Sequence, residues 1–113
     1  MMVVVFKYLT RFHIQGITLY PFVFIANSTL SKNNVLINHE RIHLRQQLEL
    51  LIVPFYIWYI IEFLIKRIKY KSWYLAYKNI SFEREAYKND NNLNYLKSRL
   101  RYSFFNYLWL HKI

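Results

Sequence analysis

A chain of 113 residues without a single cysteine has room for one domain and one core. It excludes disulfide scaffolds and cysteine-ligated zinc ribbons, so any bound metal must rely on histidine and carboxylate. Sixteen Lys and Arg against six Asp and Glu give a formal charge of +10, beside a hydrophobic fraction of 55% and an aromatic fraction of 20%. A basic excess alone suits nucleic acid or an anionic membrane surface, and this apolar load favours the membrane.

The opening MMVVVFKYLTRF has an apolar run of only six residues before Lys7 and no small-residue cleavage pattern, which predicts a first strand and no signal peptide. Met2 to Phe6 and Ile17 to Ile25 are rich in Val, Ile, Phe and Tyr on either side of Gly16. They read as two short strands forming a hairpin, with Pro21 marking the second as an edge or bulged strand. Asn27 to Asn34 reads as a loop, with Asn33 or Asn34 capping a helix that starts near Val35. On that helix Asn38, Arg41, Arg45 and Glu49 fall on one arc. Leu36, Leu44, Leu50 and Leu51 share the opposite side with His39, Glu40, His43 and Gln47, so the histidines are expected to face inward.

Pro54 is expected to kink or end this helix. The following FYIWYIIEFLIKRIK is apolar around its circumference except for Glu62, whose expected partner is Lys66 one turn on. A third helix is predicted from Ile80 or Ser81, capped by Asn79 or Ser81, with Glu83 and Glu85 in its first turns and Asn89 to Asn92 ending it. Leu93, Leu96, Leu100, Phe104 and Tyr107 then recur at helical spacing, which predicts a last basic, aromatic helix from Leu93 to Leu110. One glycine, two prolines and no repeat complete the picture of a single domain, residues 1 to 113, mainly α with a small N-terminal β element.

The chemistry sits in HERIH. Two histidines four apart lie one turn from each other on a helix and can aim imidazole nitrogens at one metal ion, with Glu40 placed to take a proton from a metal-activated water. His39 and His43 leave a zinc site incomplete, and the remaining candidates are His13, His111 and Glu83, of which Glu83 is the best placed. Tyr87, four residues beyond Glu83, can face the same centre, either hydrogen-bonding a ligand or steadying a developing oxyanion. Glu85 lies about 200° around the helix from Glu83 and cannot share its metal, and Arg84 and Lys88 read as surface charges.

These residues resemble the gluzincins, the thermolysin-like zinc metallopeptidases, in which HExxH is followed by a helix whose Glu is the third ligand, with an Asp one turn later bracing a ligand histidine. In membrane-associated members the local pattern is F-E-x-x-A-D. Here it stands as Phe82-Glu83-Arg84-Glu85-Ala86-Tyr87, which departs at Tyr87. The resemblance implies zinc on His39, His43 and Glu83, a minigluzincin-like zincin fold and peptide hydrolysis. HERIHLRQQLELL, WYIIEF and NISFEREAY are also similar to a group of short uncharacterised bacterial proteins, a likeness covering Ile37 to Tyr95. By the same analogy Ile17 to Ile25 would form a cleft rim that pairs with an extended peptide.

Leu50 to Ile65 carries only Glu62 as a charge and falls just short of a usual span, with Tyr56, Trp58 and Tyr59 in its middle rather than at its ends. A single crossing would leave the histidines and Glu83 on opposite sides of a bilayer about 30 Å thick. The helix is therefore expected to be buried or interfacial, with Lys66, Arg67, Lys69 and Lys71 against anionic headgroups. The expected location is the membrane surface, peripheral or at an inner membrane, and otherwise the cytoplasm. The expected contact runs from Leu50 to Lys71, and the expected substrate is a peptide or protein. An alternative is a non-catalytic membrane-associated helical protein with a vestigial or structural HExxH. Lys and Arg interleaved with Tyr in Lys66 to Lys78 and Lys97 to Tyr102 raise nucleic-acid binding, but no recognition motif supports it and none is expected.

Overall fold

β-branched and aromatic residues build three short strands at the N-terminus: β1 (Met2–Val5), β2 (Gly16–Leu19) and β3 (Phe22–Ile25). The structure is a computed structural model that describes residues 2–108. β3 is central, running parallel to β1 from Met2 opposite Phe22 to Val5 opposite Ile25, and antiparallel to β2 from Gly16 opposite Ile25 to Leu19 opposite Phe22. The expected long strand Ile17 to Ile25 is thus itself the hairpin. It turns at Tyr20–Pro21, whose peptide bond is cis, and Gly16 opens β2 rather than making the turn. Pro21 has no N–H to give to a ladder and sits in the turn, which leaves β3 free to pair on both sides.

The helices are α1 (Asn34–Glu49), α2 (Val53–Tyr70), α3 (Trp73–Lys78), α4 (Ser81–Asn89) and α5 (Tyr95–Ser98). Short 3-10 turns cover Lys7–Phe12, Ser28–Lys32 and Ser103–Tyr107. The result is one globule, mainly helical with a small sheet. Asn33 caps α1 as expected, its side chain accepting the Leu36 N–H at 3.1 Å. α1 ends before Leu51 and Ile52, both at positive φ, and Pro54 stands in the first turn of α2, where its missing N–H costs nothing. The two helices meet at a bend of 112°. Leu51 lies in that turn and is exposed, not on the inner face of α1.

Two apolar clusters hold the elements. Val23, Ile25 and Leu44, with Leu30 and Ile37, join the sheet to α1. Phe55, Ile80, Phe82 and Phe104, with Trp58, Tyr59 and Phe63, join α2, α4 and the last 3-10 turn. Glu62 does not pair with Lys66. Its carboxylate accepts the Ser81 N–H at 3.0 Å and the Ser81 hydroxyl at 2.5 Å, because the N-terminus of α4, whose first N–H groups have no partner within the helix, abuts it. α4 is enclosed along most of its length, so Arg84 is buried beside Glu62 and not on the surface, whereas Lys88 is exposed.

The expected helix from Leu93 to Leu110 is broken. Arg99 takes an extended conformation that carries its guanidinium to Glu49 and Glu85, and Tyr102 turns left-handed before Phe104 enters the core. Two buried tertiary demands outweigh the local period. Residues 109 and 110 of that expected helix lie outside the described residues. α3 was not expected at all; Ser72 caps it by accepting the Leu75 N–H.

Among the described residues no single helix is long and apolar enough to cross a membrane; α1 and α2 reach that length and composition only as a bent pair.

Candidate metal centre

α1 turns His39, Glu40 and His43 to one buried face, and the first turn of α4 brings Glu83 against it across 40 residues of chain. His39 Nε2 lies 3.1 Å from Glu83 Oε1, His43 Nε2 lies 3.0 Å from the same oxygen, and the two Nε2 atoms are 3.2 Å apart. A small divalent cation bound tetrahedrally at about 2.0–2.1 Å requires ligand atoms roughly 3.3 Å from one another, so this triangle matches one face of such a shell. His39, His43 and Glu83 could therefore hold a metal ion.

The far sides of these ligands are fixed as well. His39 Nδ1 lies 3.1 Å from Asp90 Oδ2, and His43 Nδ1 lies 2.8 Å from Gln46 Oε1. Gln46 cannot flip, since its amide nitrogen donates to Phe82 O at 3.1 Å and to Glu85 Oε1 at 2.9 Å. Asp90 and Gln46 thus hold each Nδ1, and in both rings Nε2 is the nitrogen turned to the centre. Tyr59 donates its hydroxyl to Glu83 Oε2 at 2.7 Å, which leaves Oε1 to the imidazoles. Two imidazole nitrogens and a carboxylate oxygen converging in a buried space are a donor set that suits a cation, and this is why the residues present fit a metal. Burial alone would depress a charged His43, but the adjoining Glu83 outweighs it and pushes His43 up to about 9. Burial likewise acts to raise Glu83, yet the imidazoles hold its carboxyl well below the usual carboxylate range.

Glu40 lies on the sheet side. Thr18 on β2 donates its hydroxyl to Glu40 Oε1 at 2.6 Å, and a side chain at Gly16 would contact Oε2 at 3.5 Å. β2 is pinned there by Gln47, which accepts the Tyr20 N–H at 2.8 Å and donates to Thr18 O at 2.9 Å, and by the Tyr56 hydroxyl, which also bonds Thr18 O. A cleft of about 880 Å³ opens over these groups, bordered by β2, α1 and the rings of Phe55, Tyr56, Tyr59, Tyr74, Tyr77 and Tyr87.

No family model, curated protein or solved structure matches this chain.

The structure brings His39, Glu40, His43 and Glu83 into one cleft, the first three through their spacing on α1 and Glu83 from α4. His13 is exposed at the rim of the same cleft, apart from the buried trio, and His111 lies outside the described residues. Tyr87 packs its ring edge-on against His39 at 4.4 Å between centroids, while its hydroxyl shares a 2.6 Å hydrogen bond with Tyr77 and not with a ligand. Glu85 points the other way, into Arg99, Gln46 and Tyr95.

Sequence reasoning missed Asp90, Gln46, Tyr59 and Thr18. Asp90, the chain's sole aspartate, stands seven residues beyond Glu83 and so on the same helical face, and Gln46 stands three beyond His43. Both signals were present. Asn38 was placed on the outer arc but is buried, its amide donating to Asp90 O at 2.9 Å and Asn92 O at 3.0 Å; it ties the end of α4 to α1.

Proposed function

We propose that this chain is a zinc-dependent peptidase in which His39, His43 and Glu83 bind the metal and Glu40 is the general base. The observation that carries the reading is the buried triangle of two Nε2 atoms and Glu83 Oε1, with the Glu40 carboxylate in the same cleft. Two imidazoles and a carboxylate, with no thiolate, form a donor set that zinc uses where a fourth position is kept for chemistry. When bound, zinc supplies the Lewis acidity that lets a water ionise near neutral pH and polarises a carbonyl.

The protein's own groups do the rest. Thr18 engages Glu40 Oε1, so Oε2 is the oxygen that takes a proton from water and passes it to the departing amine. The paired hydroxyls of Tyr77 and Tyr87 line the cleft and supply a donor for an oxyanion. β2 is an outer strand of its sheet, and an extended peptide adds to such an edge through main-chain hydrogen bonds.

Glu40→Gln tests the reading. The variant is expected to keep one zinc per chain by elemental analysis while cleavage of a peptide library falls by about 10²-fold or more. Unchanged turnover in this variant, or wild-type protein that carries no zinc after growth in zinc, overturns it.

A further inference from the structure

Helix α2 has two faces that the sequence did not separate. Phe55 and Glu62 are buried, and Tyr56, Trp58, Tyr59 and Phe63 pack toward the core. Ile57, Ile60, Ile61, Leu64, Ile65 and Ile68 are instead between 52% and 78% exposed. At about 100° and 1.5 Å per residue these six occupy an arc of about 140° and a length of roughly 17 Å, a continuous aliphatic stripe on the outside of the molecule. It contains no group that can accept or donate a hydrogen bond. A stripe of this kind on a folded chain marks an interaction surface.

The charge of the surface indicates the occupant. All six carboxylates of the chain are drawn inward: Glu40, Glu62, Glu83, Glu85 and Asp90 are buried, and the Glu49 side chain is 7% exposed against Arg99. Among the described residues every exposed charged side chain is therefore Lys or Arg. At the C-terminal end of the stripe stand Lys69 and Lys71, both exposed, and Trp73, 66% exposed, with the Arg67 guanidinium 4.7 Å over its ring. Lys66 lies about 180° from the stripe's centre and takes no part. Indole and cations at the margin of an aliphatic helical face are the pattern of a helix lying in a bilayer interface. A second copy of the chain would bring the same basic fringe against itself, and nucleic acid offers nothing to six aliphatic side chains.

We infer that the Ile57 to Ile68 face of α2 docks the protein on an anionic lipid bilayer, with the helix parallel to the surface and Lys69 and Lys71 at the headgroups. The inference does not depend on the peptidase reading.

Co-sedimentation of the full chain with vesicles tests it. Wild-type protein is expected to pellet with vesicles of equal parts phosphatidylcholine and phosphatidylglycerol, and less with phosphatidylcholine alone. Ile61→Asp with Ile65→Asp is expected to weaken partitioning by about tenfold or more, given the apolar area lost from contact. Lys69→Gln with Lys71→Gln is expected to weaken it by roughly thirtyfold on anionic vesicles alone. Circular dichroism and the urea midpoint check that each variant is folded, and Ile61→Gln with Ile65→Gln stands in if the aspartate pair is not. Wild-type protein that stays in the supernatant with anionic vesicles overturns the inference, as does undiminished binding by folded stripe variants. A dimer in sedimentation velocity that the stripe variants dissociate would assign the face to self-association instead.

Discussion

An imidazole makes a better oriented and more basic ligand when its second nitrogen has a fixed partner, and Asp90 is that partner for His39. Asp90→Asn keeps an acceptor of similar shape but removes the charge, and Asp90→Ala removes both. Zinc affinity, measured by competition with a chromophoric chelator, is expected to fall roughly 10- to 100-fold, more for alanine than for asparagine. His43 adds a pH dependence. Its pKa in the metal-free protein is raised from 6.5 to about 9, so it holds a proton at neutral pH that a metal must displace. Affinity is therefore expected to climb about tenfold per pH unit toward 9 and then flatten, with proton release visible in the buffer dependence of the binding heat. The linkage to stability has the opposite slope. A folded-state pKa above the unfolded one gives stability that is complete below about 6.5 and is lost as pH rises through about 9, so the melting temperature of metal-free protein should decline across that window. At this scale the imidazole pair was legible because both histidines lie in one helical repeat. Thr18 was not, since its bond to Glu40 spans 22 residues and joins a strand to a helix with no spacing rule.

Where an element's ends are set locally, the sequence showed them; where tertiary contacts set them, it did not. Asn33 caps α1 within its own turn and Pro54 restarts the chain at α2, so both boundaries could be read from adjacent residues. The hairpin inside Ile17 to Ile25 could not, because its turn at Tyr20–Pro21 lacks the glycine or asparagine that usually marks one. α4 shows a start defined by a distant group. Ile80, at its N-cap position, offers no side-chain acceptor, and Glu62 on α2 fills the role through Ser81. Glu62→Ala strands a buried N–H and a buried hydroxyl and is expected to cost about 2–3 kcal/mol in urea denaturation. Glu62→Gln, which retains an acceptor, should cost less. Equal losses for the two would show that the negative charge of Glu62 beside the buried Arg84, and not its acceptor oxygens, is at work.

The molecule is closed by one cation. Arg99 donates through Nη1 to Glu49 Oε2 at 2.6 Å and through Nη2 to Glu85 Oε1 at 3.1 Å, with a further short bond from Nε to Glu85 Oε2. Its side chain and that of Glu85 are 0% exposed, so this pair ties the C-terminal segment to the end of α1 and to α4 inside the protein. The same Glu85 holds the amide of Gln46, whose oxygen fixes His43, so the interhelical lock and the candidate metal centre share one chain of hydrogen bonds. Bringing the two charges out of water has already cost free energy, and the pair as a whole is worth little over an apolar filling, but losing one partner leaves the other buried and uncompensated. Arg99→Met is thus expected to destabilise by about 3–5 kcal/mol, read from the urea midpoint at constant slope. Adding Glu85→Gln to it should restore part of the loss, because a neutral amide at that position can still meet Gln46 and Tyr95. A single variant within about 1 kcal/mol of wild type, or a double variant worse than the sum of its parts, would mean that the C-terminal segment is held by Phe104 in the aromatic core and not by charge.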